Sequence, residues 1–408
     1  MGIGALGSGQ FMTQITISRR LTIPDPIRVA RYRRAPDLGP RLLFFSGGTA
    51  LKEFSRHIKS LTENTLHFMS PFDSGGSSAE LRRAFDMLSL GDLRNRLVSL
   101  ANESVTGNRS VVELFSHRLS AVDDALALNR DLERLIAGDH PLMVGIPSPM
   151  SRIIRSDLRR FQQERDVVFD LRGASIGNLL LARGYLHHDR DIDLVLFLFS
   201  KLLDVRGVVR PIVDANLHLA ATLADGSQII GQHLMTGKEC DPINIPIKDL
   251  CIVKGPSDPT PVHVTAPAAF TRFIKRADLI CLAPGSFYTS LIANLLPRGV
   301  GQALAGADCL RVYVPSLGVD PEVIGLDLAS MVETLCRFLR KDAGDVRPSR
   351  LIDLVIVDLK HGEYGFSCDP APVEKLGIRV LNLPIAEPLT PTRICPGRLS
   401  DVLLSIAA

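Results

Sequence analysis

The sequence predicts an α/β fold: one doubly wound, mostly parallel sheet with helices on both faces and a small β insertion. Three observations carry that reading. Short apolar runs recur, and each ends in a glycine-rich loop that opens a segment of helical spacing, the pattern of a parallel sheet covered by helices. Within residues 205–253 the pattern changes to period-two alternation around Asp225-Gly226, which marks a hairpin. The 408 residues, 46% hydrophobic and 22% charged, exceed a typical domain of roughly 100–200 residues and lack the composition of a disordered chain.

Residues 1–40 read as a basic extension. Gln14 to Ile23 has enough β-branched residues for one or two short strands, and Arg28 to Arg34 reads as a solvated surface. From residue 41 to 408 the chain reads as one large α/β domain. Leu42-Leu43-Phe44-Phe45 is a strand that ends in Ser46-Gly47-Gly48-Thr49, and Leu51, Phe54 and Ile58 follow at helical spacing. Leu66 to Met69 is the next strand, leading into a loop over Ser70–Ser78 and a helix from Ala79. Leu90 to Gln163 is largely helical, broken at Gly138 and at Pro141–Pro149. Val167-Val168-Phe169 reads as a strand before Gly173–Asn178 and a Leu-rich helix. Val208–Ile212 and Leu217–Thr222 alternate like strands of the insertion, and Asp225-Gly226 turns into Gln228–His233. The α/β pattern resumes with a helix before Asp278, a strand over Leu279–Ala283, and Pro284-Gly285-Ser286 opening another helix. Strands at Arg311–Val314 and Leu354–Asp358 flank a helix over Leu326–Leu339.

Composition excludes several classes of function. Net charge is only +3, and the first 40 residues alone carry +4, so no broad basic face for nucleic acid is expected. Seven cysteines are scattered without a Cys-x-x-Cys pair, which speaks against a disulfide framework or a structural zinc site. No apolar run approaches the roughly 20 residues that span a bilayer, and the first residues lack a secretory pattern. A cytoplasmic protein that binds neither membrane nor nucleic acid is the expectation.

Three loops share one chemistry. Ser46-Gly47-Gly48-Thr49, Asp73-Ser74-Gly75-Gly76-Ser77-Ser78 and Pro284-Gly285-Ser286 each lie between a predicted strand and a predicted helix. Glycine lets backbone amides approach a ligand, and a helix N-terminus favours an anion. Several such loops on one sheet edge favour a nucleotide or diphosphate. None is a Walker A or GxGxxG motif. Asp73 and Asp92 are candidates to hold Mg²⁺ against phosphate oxygens, although Asp92 also stands where a helix N-cap would be. Arg94 in Leu90-Gly91-Asp92-Leu93-Arg94-Asn95 can pair with a phosphate or with Glu80 or Glu103. Tyr288 can stack on a base or pack. Gly173-Ala174-Ser175-Ile176-Gly177 matches the G-x-S-x-G nucleophile elbow, the one feature that points to a serine hydrolase; Ser175 and Asn178 serve more naturally as polar ligand contacts at a helix start. His57, His117, His187 and His188 show no metal-ligand spacing in the sequence.

Four stretches together resemble the CofD-like family, which contains the 2-phospho-L-lactate transferases and the YvcK-type proteins once called gluconeogenesis factors. They are LLFFSGGTALKEF, PFDSGGSSAELRRAF with LGDLRNRLVSLA, LRGASIGNLLLARGYL, and ADLICLAPGSFYTSLIANLLPRGVGQAL. The hairpin ending in Gly231-Gln232-His233 also resembles the family's β element. The resemblance covers about residues 41–315 and implies a Rossmann-like fold binding a nucleoside diphosphate compound, guanosine- or uridine-type. In the transferases Mg²⁺ assists transfer of a phospholactyl group from a guanosine diphosphate donor to the hydroxyl of a deazaflavin. In YvcK-type proteins the ligand is a nucleotide-sugar and the role regulatory. The resemblance places Gly47, Gly48 and Thr49 in the first phosphate loop, Asp73 as the first acid of an Asp-Asp-Gly-Gly motif, Asn178 as a ligand-facing amide, and Gly285 and Ser286 against the nucleotide; the loop chemistry itself adds Gly75, Gly76, Ser77, Ser78, Arg94 and Asn95 as candidate phosphate contacts. Ala50, Ser74 and Leu90 depart from the family pattern, as does Pro315–Asp320. A homo-oligomer stays open on the sequence.

Overall fold

The computed structural model describes residues 20–104, 108–165, 169–237 and 240–407. Along the chain run strands β1 (Leu42–Ser46), β2 (Thr65–Met69), β3 (Val208–Pro211), β4 (His218–Leu223), β5 (Gln228–Ile230), β6 (Ile247–Gly255) and β7 (Asp258–Pro261). They continue with β8 (Leu279–Leu282), β9 (Leu310–Tyr313), β10 (Leu354–Val357), β11 (Arg379–Asn382), β12 (Ala386–Glu387) and β13 (Thr390–Ile394). Seven of them form one parallel sheet in the order β11-β10-β9-β8-β1-β2-β3. This is the predicted doubly wound α/β architecture.

Alternate side chains of the central strands go to opposite faces, as strand geometry requires. Leu43 and Phe45 join Phe68, Ile280 and Leu282 against the helix Phe270–Arg276 and the helix Leu328–Ala343. Leu42 and Phe44 join Cys281 and Ile356 against the helices Lys52–Ile58 and Pro396–Ile406. A third core belongs to the helices between β2 and β3, from Gly76–Phe85 to Ile192–Leu202.

Three expectations are corrected. Val208–Pro211 is not part of the insertion: it pairs in parallel with β2 as the sheet's edge strand. The insertion is instead the antiparallel sheet β5-β4-β6-β7, whose two later strands lacked an alternating signal. The basic run Arg28–Arg34 is not merely solvated, because the helix Pro26–Arg34 buries Val29. Arg28 Nη1 donates to the carbonyls of Ser405 at 3.0 Å and Ala407 at 3.1 Å, so this helix caps the C-terminal one. Gln14 to Arg19 and Val167-Val168 lie outside the described residues; Leu21–Ile23 and Phe169 are irregular.

The order of connections positions the site. The chain runs β1, β2, β3 towards one edge, then returns with β8 on the other side of β1. The carboxyl ends of β1 and β8 therefore flank a topological switch point, where open α/β sheets form their binding crevice.

Candidate functional site at the switch point

A cavity of about 520 Å³ opens there, lined by Gly47, Gly48, Thr49 and Ala50 after β1, Asp73 after β2, and Gly285 and Ser286 after β8. The helix Gly91–Leu100 contributes Asp92 and Asn95, and the β insertion contributes Gln232, His233 and Thr236. Arg118 and Ser290 complete the lining. All three glycine-rich loops thus reach one hollow.

The first loop fits its surroundings so closely that glycine is obligatory. A Cβ on Gly47 would stand 2.3 Å from Ser290 Oγ, and one on Gly48 would stand 1.9 Å from Asp92 Oδ1. Behind the loop lies the fully buried guanidinium of Arg96. Its Nη2 donates to the Gly47 carbonyl at 2.8 Å and its Nη1 to the Leu51 carbonyl at 2.8 Å, with Ser55 Oγ a further partner. Burial lowers its pKa to about 10, opposed by Asp92, so the group is a cation at neutral pH. This places a positive charge beneath a loop whose buried glycines line the cavity and whose Thr49 and Ala50 are exposed.

The second loop divides its residues between two hollows. Asp73 faces the first, and its Oδ1 accepts from the Gly75 amide at 3.2 Å. Ser74 and Gly76 face a neighbouring cavity of about 670 Å³. Gly75 and Gly76 begin the helix Gly76–Phe85, Ser77 Oγ accepts from Arg118 Nη1 at 3.2 Å, and Ser78 is buried beneath Gly91. The expected phosphate cradle of Gly75 to Ser78 is therefore corrected: within this loop, only Asp73 lines the first cavity.

The third loop differs more. The segment after it is a π-helical turn, Phe287–Ile292, a rare geometry that recurs at functional sites. Its leading amides are already engaged. Phe287 N donates to Asp320 at 2.8 Å, Tyr288 N and Thr289 N donate to Glu322 at 2.7 and 2.8 Å, and Gly285 N donates to Ser316 Oγ at 2.8 Å. Burial first, then neighbouring Asp320, pushes the Glu322 carboxyl above its ordinary range. Gly285 and Ser286 remain on the cavity wall, whereas Pro284 lines a separate hollow with Thr49.

Four expected ligand contacts are corrected by burial. Tyr288 is 1% exposed and gives its hydroxyl to the Ile247 carbonyl at 3.0 Å, so it packs instead of stacking on a base. Ser175 is fully buried and its hydroxyl donates to the Phe115 carbonyl at 3.3 Å. No substrate carbonyl reaches it, and the serine-hydrolase reading falls. Asn178 is buried and accepts from Arg94 Nε at 3.2 Å. Arg94 is likewise buried, its pKa lowered to about 10 by burial first and then by Arg118, and it forms a strut beneath the site. His117, which shows no metal-ligand spacing in the sequence, meets Asp131 and His140 with ligand atoms within 4.8 Å. His140 Nδ1 accepts from Leu142 N at 3.2 Å, which leaves its Nε2 proton to Asp131 at 3.3 Å.

Arg96, Arg118, Ser290, Gln232, His233 and Thr236 were not among the predicted site residues. Only the Gly231-Gln232-His233 turn carried a local signal; Arg118 and Ser290 reach the cavity through tertiary structure alone.

A model of the family described as 2-phospho-L-lactate transferase CofD matches residues 42–386. A Nostoc sp. relative is 30% identical over 298 residues, 73% of this chain and 52% of its own length; the chain thus spans about half of that protein. The gluconeogenesis factor of Listeria monocytogenes is 28% identical over 280 residues, 68% of this chain and 67% of its own. That of Bacillus subtilis is 26% identical over 299 residues, 72% and 74% of the two chains. A crystal structure of a UPF0052 family protein from Bacillus halodurans shares the fold, with a TM-score of 0.63 at 21% identity, covering 89% of this chain and 99% of that one.

Proposed function

The chain belongs to the 2-phospho-L-lactate transferase CofD family, and from that premise we propose that its switch-point cavity binds a nucleoside diphosphate compound, guanosine- or uridine-type. One observation carries the reading: the loops after β1 and β8 meet two carboxylates, Asp73 and Asp92, on a single hollow. Gly47 to Thr49 would hold phosphate oxygens over the Arg96 cation. The two carboxylates are the donor set that suits Mg²⁺, which is usually bound by one or two carboxylates together with substrate phosphates. Bound there, the ion would neutralise charge on the diphosphate; positioning and electrostatics are the main contributions to phosphoryl-type transfer.

The reaction proposed is transfer of a phospholactyl-type group from a nucleoside diphosphate carrier to an acceptor hydroxyl, deazaflavin-like in the family. A second reading is a regulatory nucleotide-sugar-binding protein, favoured by relatives described as gluconeogenesis factors and by Ser74 in place of a second acid. Thermal-shift measurements with GDP, UDP and UDP-sugars, with and without Mg²⁺, test the binding. A ligand that binds the native state at a hundredfold excess over Kd stabilises it by about 2.7 kcal/mol. Release of nucleoside monophosphate only when donor, metal and hydroxyl acceptor are all present supports transfer; tight binding without turnover supports the regulatory reading.

A further inference from the structure

The first cavity and the 670 Å³ cavity beside it share one lining residue, His233, and Ser74 lines the second of them. The second hollow lies between the helix Gly76–Phe85 and the β insertion, and is lined by Glu80, Arg82, Arg83, Asn216, His218 and Ser257 among others. Its lining includes no aromatic ring except the two imidazoles, so it suits a polar group that hydrogen-bonds.

The imidazole at this junction is held in place. His233 Nδ1 lies 2.8 Å from Ser74 Oγ, which also accepts from the His233 backbone amide at 3.3 Å. Gly231, at φ +114°, leaves room for the ring: a Cβ there would stand 3.0 Å from His233 Cε1 and 3.4 Å from Ser74 Oγ. One ring nitrogen is thus engaged by a buried hydroxyl, and the other belongs to a side chain that borders both hollows. An oriented imidazole with a free nitrogen beside a reacting centre is the arrangement of a general acid or base.

We propose that His233 is the catalytic proton-handling residue of this site, and that the second cavity seats the hydroxyl-bearing group on which it acts; this rests on the transferase reading above. In the step, the hydroxyl oxygen attacks the β-phosphorus of the nucleotide ester. The new O–P bond forms as the P–O bond to the α-phosphate breaks, and that bond's electron pair leaves with the nucleoside monophosphate. The hydroxyl proton passes to His233 Nε2. Ser74 is a positioning residue that fixes the ring. The charged and titratable groups around the imidazole are Asp73, Asp92 and Arg118 on the first cavity and Glu80, Arg82, Arg83 and His218 on the second.

The test uses the full chain with ¹⁵N-labelled histidine, and His233→Gln to assign the ring among the ten histidines. Calorimetry gives the Kd of GDP and UDP with Mg²⁺, and the His233 ring is titrated by NMR with and without the nucleotide. The expected result is an upward move of the wild-type His233 titration on nucleotide binding, because an imidazolium beside a phosphate is favoured, and a Kd in His233→Gln that is weaker than wild type below that titration, by linkage. Ser74→Ala should keep the Kd and change the ring's tautomer signal. Nucleotide binding with no response of the His233 ring overturns the proposal while leaving the binding reading intact. Failure of both nucleotides to bind the wild-type chain brings down the binding reading and the proposal together.

Discussion

Gly48 and Asp92 show how tightly the site is specified by single side chains. A methyl group on Gly48 would overlap the Asp92 carboxylate, and relieving such an overlap costs about 1–3 kcal/mol. Moving either the loop or the carboxylate spoils the ligand's seat, so Gly48→Ala should weaken GDP or UDP binding by about tenfold to a hundredfold with an unchanged far-UV spectrum; calorimetry decides. His218 makes a different prediction. Burial first, then Arg82 and His233, depress its pKa from 6.5 to about 4. The unfolded chain therefore binds more protons between those values, and stability falls as pH drops from about 6.5 towards 4. His218→Gln should flatten urea-denaturation midpoints across that window. If the variant loses stability on acidification as steeply as wild type, His218 is not a source of the acid sensitivity.

The turn Phe287–Ile292 illustrates what local sequence could and could not convey. Pro284-Gly285-Ser286 was legible as a loop between strand and helix, because turn residues carry local chemistry. That its amides would be taken by Asp320 and Glu322 was not, since those acids arrive from the loop after β9. The same holds for Val208–Pro211: its alternation looked like a hairpin strand, and only the parallel partner β2 assigns it to the central sheet. The glycine loop after β1 was legible as a loop at a strand end, whereas the atoms that exclude a Cβ there belong to Ser290 and Asp92 in distant segments. The acids at the π-helical turn also carry a prediction. Glu322→Ala leaves the buried amides of Tyr288 and Thr289 without their acceptor, at about 1–3 kcal/mol for each unpaired group. The variant should lose about 2–6 kcal/mol in urea denaturation, and Glu322→Gln, which keeps one acceptor oxygen, should lose less. Equal losses would mean that the acceptor geometry at this turn is unimportant.

In the whole molecule, the fold was the most legible property, because strand–loop–helix repetition is written locally and closes in few ways. The site was legible to the extent that its loops lie at strand ends. Its inner wall was not: Arg94, Asn178, Ser175 and Tyr288 carry polar groups that look available in sequence, yet are sealed by helices from distant segments. Arg96 sits two residues beyond Arg94, and nothing in the helix itself says which arginine lies under the loop. The described helices include none long and apolar enough to cross a membrane. The central claim is that one switch-point cavity takes a diphosphate and its metal. The most direct test is titration calorimetry of GDP and UDP into the wild-type chain and Asp73→Asn,Asp92→Asn, with and without Mg²⁺. Binding of at least one nucleotide at a single site, strengthened by Mg²⁺ in the wild type and not in the double variant, is the predicted result. Mg²⁺ strengthening both proteins alike, or neither nucleotide binding, would contradict it.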